Sequence, residues 1–203
     1  RSGTAWTEQA ELTAAETATI DYFGWSVAIA GSTIVTGALF GSGILDFSGS
    51  AYAFTGSGAS WTEQDELVPT YWAINNQFGF SIAMIDDSTV MIGAILGDGA
   101  DEESGAVYVF RKLGNSWNYL QKISGADSGN GDRFGRFILV KDENTVLIGA
   151  NRHNNDTGAV YVFARAGVTW LQDSKITASD GARGDHFGFS GDIDGNTAVI
   201  GAF

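Results

Sequence analysis

One pattern recurs four times along this chain of 203 residues. Each repeat opens with a tryptophan, continues to a Phe-Gly pair and then reaches a Gly-Ala pair. The tryptophans lie 55, 56 and 53 residues apart, at Trp6, Trp61, Trp117 and Trp170. Repetition at this period means that one supersecondary unit is copied, and that each copy buries its apolar face against its neighbours.

Each complete repeat is predicted to contain four β-strands, which we label a to d. Strand a starts at the Phe-Gly pair, and strand b ends at the Gly-Ala pair. Strand c carries the aromatic residues of segments such as 50–54, and strand d starts at the tryptophan. In strand a, large apolar and small residues alternate from Phe23 to Ile29, which places the large side chains on one face of a sheet. The copies of strand a begin at Phe23, Phe78, Phe134 and Phe187.

Four antiparallel strands in a repeat of this length are typical of one blade of a β-propeller. We therefore predict an all-β chain forming a single partial β-propeller of four-stranded antiparallel blades. The expected divisions are an orphan outer strand with its connection at 1–19, blades at 20–67, 76–123 and 132–176, and the first half of a further blade at 186–203. Because the last copy stops after strand b, we expect a larger ring. The alternative is a four-bladed ring closed by the terminal strands, which would lack one strand.

Composition excludes several classes of function. A net charge of −13 disfavours binding to nucleic acid or to an anionic membrane, since both require clustered basic residues. The chain has no cysteine and therefore no disulfide, thiolate metal site or cysteine nucleophile. No apolar run reaches the length of about 18 residues that a membrane-spanning helix needs.

The Phe-Gly and Gly-Ala pairs, spaced 14 or 15 residues apart, resemble the FG-GAP repeat of integrin α-subunit propellers. The resemblance covers essentially the whole chain. It implies a ring of about seven blades, located outside the cell or at its surface, that serves adhesion or protein recognition. The proline that ends the family motif is absent here, because the Gly-Ala pairs are followed by Leu39, Ile95, Asn151 and Phe203.

The resemblance also raises the question of calcium, because integrin repeats often carry an Asp-rich loop between strands a and b. Here that link is a short turn. Asp192 and Asp194 are the weak candidates for ligands, whereas calcium takes six to eight oxygens. We interpret this segment as a turn and predict no cofactor.

A partner-binding surface is predicted where the b–c and d–a connections emerge. These connections are longer and more variable than the a–b and c–d links, and binding residues favour such loops on a rigid scaffold. Two neighbouring connections are unusually apolar, which favours a protein contact; in the alternative, their side chains fold inward and cap the blade. The candidate partner-binding residues are Phe40, Leu45, Phe47, Tyr71, Trp72 and Ile74.

No enzymatic activity is expected. His153 and His186 have no evident nucleophile beside them, and His153 is interpreted as an ordinary loop residue. Asn155 heads an Asn-Asp-Thr triplet and is a candidate glycosylation site if the chain is secreted by a eukaryote.

The resulting hypothesis is an extracellular recognition, adhesion or assembly module without membrane insertion. Its partners would be other proteins, including copies of itself or the rest of its own chain. Two alternatives remain: a carbohydrate-binding propeller that stacks sugars on Trp25, Trp72 or Tyr22, and a non-catalytic part of a larger secreted enzyme.

Overall fold

A computed structural model of the chain describes residues 4–16, 20–41, 48–69 and 75–203. Within these ranges the chain forms three four-stranded antiparallel sheets and one two-stranded sheet. Each strand pairs with the next along the chain, so every sheet is a meander. The prediction of an all-β protein built from antiparallel four-stranded blades is confirmed. The arrangement is propeller-like, with a ring that is not closed within this chain.

The strands follow the predicted order. The first sheet contains β1 (Phe23–Ala30), β2 (Thr33–Ala38), β3 (Ser50–Ser57) and β4 (Ser60–Leu67). The second contains β5 (Phe78–Asp86), β6 (Thr89–Ala94), β7 (Ala106–Leu113) and β8 (Ser116–Ile123). The third contains β9 (Phe134–Asp142), β10 (Thr145–Ala150), β11 (Ala159–Ala166) and β12 (Thr169–Ile176). A short non-helical turn, labelled α1 (His153–Asp156), lies between β10 and β11. The fourth pairs β13 (Ser190–Asp194) with β14 (Thr197–Gly201).

The first strands of the sheets, β1, β5, β9 and β13, contact one another in series. Each sheet therefore extends outward from a shared inner row, as the blades of a propeller do. No helix among the described residues is long and apolar enough to cross a membrane.

The Phe-Gly and Gly-Ala pairs meet at each junction between successive sheets. Between the second and third sheets, a Cβ atom added to Gly93 would lie 2.6 Å from the carbonyl oxygen of Gly135 and would collide with the hydroxyl of Ser81. That hydroxyl donates a hydrogen bond to the same carbonyl at 2.7 Å. Only glycine permits so close an approach of two backbones. The equivalent pairs at the other junctions are Gly37 with Gly79 and Gly149 with Gly188.

Backbone hydrogen bonds complete each junction. The Phe134 N–H donates to the carbonyl of Ser104 in the preceding sheet at 3.0 Å, and the Arg152 N–H donates to the carbonyl of Asp132 at 3.2 Å. Between these two anchored positions, Arg133 adopts a left-handed φ of 59°. The same conformation occurs immediately before each of the other Phe-Gly pairs, at Tyr22, Gln77 and His186.

In the first three sheets, the phenylalanine of the Phe-Gly pair packs in the core of its own sheet. The Phe134 ring packs edge-on against Tyr161 and Phe163, with centroids 5.4 and 5.8 Å away. Phe78 makes the same contacts with Tyr108 and Phe110. These rings come from strands a and c, so the aromatic alternation of strand c is explained by its partner in strand a.

The N-terminal segment differs from the prediction of an orphan outer strand. The described residues 4–16 form no strand, and the Trp6 side chain is 80% exposed, whereas Trp170 is 1% exposed. The segment instead lies against the first sheet, where the Ala15 N–H donates to a carboxylate oxygen of Glu63 at 2.9 Å. An outer strand needs a third strand to pair with, and the described part of the last sheet consists of β13 and β14 alone.

We expect Gly93→Ala to lower the free energy of unfolding by about 1–3 kcal/mol, because the new methyl group overpacks the junction. The measurement is chemical denaturation followed by tryptophan fluorescence. Gly129→Ala is the matched control, since a Cβ there meets nothing within 4 Å and its φ is not in the left-handed region. Equal stability of the two variants would contradict this account of the junction.

Candidate functional site

We call the b–c and d–a connections together the loop face, and the structure describes them apart from residues 42–47 and 70–74. Its b–c segments are 39–49, 95–105 and 151–158, and its d–a segments are 68–77, 124–133 and 177–186. The Gly131 N–H donates to the Glu103 carbonyl at 3.2 Å, and the His186 N–H donates to the Asp156 carbonyl at 2.9 Å. Each of these d–a segments therefore rests on the b–c segment of the preceding sheet.

Aromatic rings form a continuous row beside the first sheet, which we call the aromatic strip. The row consists of Phe40, Tyr22, Trp25 and Phe80, with successive centroids 5.2, 6.3 and 5.8 Å apart. Tyr22 is 56% exposed and Trp25 is 49% exposed. Trp25 and Phe80 are the third residues of β1 and β5, so the strip lies where these strands leave the loop face.

Of the six predicted partner-binding residues, Phe40 is placed in this strip. Its side chain is half-buried, and its ring packs edge-on against Tyr22. The other five lie outside the described residues, namely Leu45, Phe47, Tyr71, Trp72 and Ile74.

A second group of side chains converges on the loop face of the third sheet, and we call it the polar cluster. It consists of Asp127, Asp132, His153, Tyr161 and Lys175. The buried His153 ring has Nδ1 2.7 Å from an oxygen of Asp132 and Nε2 3.2 Å from Nζ of Lys175. Asp127 accepts from Lys175 Nζ at 2.5 Å and from the Tyr161 hydroxyl at 2.9 Å.

Local backbone geometry explains how His153 enters this cluster. The His153 carbonyl accepts a hydrogen bond from the Gly158 N–H. In the first two sheets the equivalent acceptors are the carbonyls of Gly41 and Gly97, which accept from the N–H groups of Gly49 and Gly105. His153 therefore stands where the other sheets have glycine. The next three residues, at 154–156, all have left-handed φ values between 53° and 64°, and Asn and Asp tolerate this conformation better than most residues.

Sequence reasoning missed this cluster and interpreted His153 as an ordinary loop residue. The available signals were the histidine at a glycine position and the Asn-Asn-Asp run that follows it. Tyr161 and Lys175 are also cross-strand partners on β11 and β12, although that register is known only from the structure. Residues from four separate segments meet here, and no spacing in the sequence indicates that they are in contact.

The charged and polar groups of the polar cluster shift one another's pKa values. The hydrogen bond from Lys175 holds the pKa of Asp127 below its usual range, and the bond from Tyr161 acts in the same direction. Burial raises the pKa of Tyr161, and the neighbouring carboxylate of Asp127 adds to that rise. Four members of the cluster line a shallow pocket together with Gly129 and Asn154, namely Asp127, Asp132, His153 and Lys175. Such a pocket can order a loop or hold a polar ligand.

The weak calcium candidates are exposed. Asp192 and Asp194 lie on β13, where an Asp192 oxygen accepts from the Ile193 N–H at 2.9 Å. Within the described ranges, no three His, Cys, Asp or Glu side chains are grouped so that they could hold a metal ion. Asn155 is exposed on α1, and its glycosylation remains a prediction.

We expect Lys175→Met to raise the pKa of Asp127 toward its ordinary value, since the main cause of the depression is removed. The pair stabilises the fold when Asp127 is ionised, and this contribution is lost as the pH falls through the lowered pKa. The stability difference between the native chain and the variant should therefore shrink in acid. Carboxyl ¹³C NMR titration measures the pKa, and thermal melts from pH 2 to 7 measure the stability.

Lys141→Met is the control for this experiment, because Lys141 Nζ lies 4.0 Å from Asp142 and takes no part in the cluster. An Asp127 pKa that is the same in both variants would rule out the assigned cause.

The family model of the FG-GAP repeat matches residues 6–54, 61–110, 117–163 and 170–203. Each match includes the Phe-Gly pair and the Gly-Ala pair of its repeat. The four matches together cover most of the chain and coincide with the four repeats found from the tryptophan spacing.

Two curated relatives are integrin α-chains. The chain is 31% identical to integrin alpha-11 of Homo sapiens over 132 residues, which is 58% of this chain and 11% of that protein. It is 30% identical to integrin alpha-2 of Bos taurus over 155 residues, which is 64% of this chain and 13% of that protein. The matched region thus spans a small fraction of either relative.

Proposed function

Because the chain belongs to the FG-GAP repeat family, we propose that it is a non-catalytic recognition module that binds another protein outside the cell through its loop face. Similarity to two integrin α-chains supports this class of function. The observation that carries the proposal is the aromatic strip, a continuous row of rings of which two are about half exposed.

Exposed aromatic rings are well suited to protein recognition. Tyr and Trp provide a large contact area and lose little rotamer entropy on binding, and they are enriched among the residues that dominate interface energy. The strip is held by β1 and β5, which are both paired in sheets. A preformed surface of this kind pays little ordering cost when it binds.

The remaining predicted contact residues extend this proposal. Leu45, Phe47, Tyr71, Trp72 and Ile74 belong to the same two connections of the loop face, and we propose that they enlarge the apolar contact around Phe40. We further propose an extracellular or cell-surface location, with Asn155 as the glycan acceptor in a eukaryotic secretory pathway.

The double variant Tyr22→Ser, Trp25→Ser should weaken binding to a protein partner at least tenfold, since it removes the two most exposed rings of the strip. The measurement is saturation binding to an array of secreted proteins and receptor ectodomains, followed by titration of each positive. Melting temperatures of the variants show whether the fold is kept.

Leu171→Ser is the matched control, because Leu171 is 59% exposed on the outer strand β12, away from the loop face. Equal losses in the control and the double variant would contradict the proposed surface. Saturable binding to a parallel glycan array, with none to proteins, would instead support the carbohydrate-binding alternative.

A further inference from the structure

We propose that Arg136 is the anchor of a carboxylate-binding site beside the loop face, and that a protein partner fills this site with an aspartate or glutamate side chain. The proposal rests on the recognition function above and adds the chemistry of the contact. Arg136 is the third residue of β9, so it occupies the same position in the inner row as Trp25 and Phe80.

The guanidinium of Arg136 is held between two aromatic rings. Its central carbon lies 4.0 Å from the ring centroid of Phe189 and 4.9 Å from that of Phe80. The equivalent residues of the other three repeats are aromatic, namely Trp25, Phe80 and Phe189, whereas the third repeat has a cation there. Both rings attract the cation, and the N–H donors of a guanidinium point outward from its edge, where they stay available for hydrogen bonding.

Arg136 lacks an acceptor for its donors. Its Nε atom is buried with no hydrogen-bond partner, and nowhere in the described ranges does the guanidinium form a hydrogen bond or an ion pair. Arg165 is also near an aromatic ring, that of Trp170, yet its Nε donates to the Gly167 carbonyl at 3.1 Å. Because Nε is closed off from the surface, an outside acceptor would be bound by the two terminal Nη groups, which are not among the buried unpaired atoms.

Arg133 is a second cation near Arg136, and its charge makes the binding of an anion more favourable. Burial lowers the pKa of Arg136, and the charge of Arg133 lowers it further. Arg133 is itself half-buried and, among the described residues, makes no ion pair within 4 Å, although the carboxylate of Asp156 is near enough to offset part of its charge. Two like charges side by side are unfavourable, and this chain has only 11 basic residues and a net charge of −13. A bound anion would relieve the repulsion between them.

The surroundings favour a single carboxylate over other anions. The planar fork of a guanidinium matches a carboxylate with two parallel hydrogen bonds, and the aromatic strip nearby would cover the apolar stem of an Asp or Glu side chain. A densely charged polyanion would be repelled by the net charge of −13. A protein that presents one carboxylate in otherwise neutral or basic surroundings would not be repelled in this way.

The test is an NMR titration of the intact ¹⁵N-labelled chain that follows the Nε–H resonances of its arginines. The probes are acetyl-Gly-Glu-Gly-amide, the matched peptide with Gln in place of Glu, and sodium sulfate at equal ionic strength. We expect the Glu peptide to shift the Arg136 resonance saturably and to bind at least tenfold more tightly than the Gln peptide. The Arg165 resonance in the same spectra is the internal control.

Arg136→Lys keeps the charge and removes the fork, so it should weaken binding of the Glu peptide at least tenfold, as read from the backbone amide of Phe189. Sulfate binding as tight as the Glu peptide, equal binding of both peptides, or unchanged binding in Arg136→Lys would each overturn the proposal. If one of these results occurs while the native chain still binds array proteins in a way that depends on Tyr22 and Trp25, the carboxylate site is wrong and the recognition function stands. If the native chain binds the Glu peptide but no protein on the array, the recognition function is wrong.

Discussion

The contact between a Phe-Gly pair and the Gly-Ala pair of the preceding sheet is the constraint on which the rest of the structure depends. At each junction two glycine backbones approach so closely that a methyl group would collide, and a phenylalanine N–H donates to the preceding sheet at 2.9 or 3.0 Å. The same phenylalanine ring is fully buried in the second and third sheets. One motif therefore fixes the spacing of neighbouring sheets and supplies a central ring of the second and third cores.

Candidate binding features occur where one copy departs from the shared pattern. His153 replaces a glycine, and Arg136 replaces an aromatic residue of the inner row. Neither change disturbs the junction, because the glycines and the backbone hydrogen bonds remain in place. A repeat scaffold can thus hold a polar or cationic group at one position while its neighbours maintain the fold.

The inner row also explains why an arginine without a carboxylate partner is tolerated. Its charge is met in part by two ring faces, which are electron-rich.

The strands at the two ends of the inner row expose different side chains: β1 exposes Val27 and Ile29, whereas β13 exposes Asp192 and Asp194. Direct contact between these two ends would bury carboxylates against aliphatic side chains, which is unfavourable.

The sequence by itself determined the repeat, the strand order and the sheets, because periodicity and glycine placement are local and are copied four times. It also predicted that the b–c and d–a connections share one face, since strand direction alternates regularly, and Phe40 as a binding residue there stays a prediction. Only the tertiary structure decided that the segment around Trp6 forms no strand, that His153 is buried among Asp132 and Lys175, and that two rings enclose Arg136. These contacts join residues from different strands and loops, so they depend on how the sheets pack.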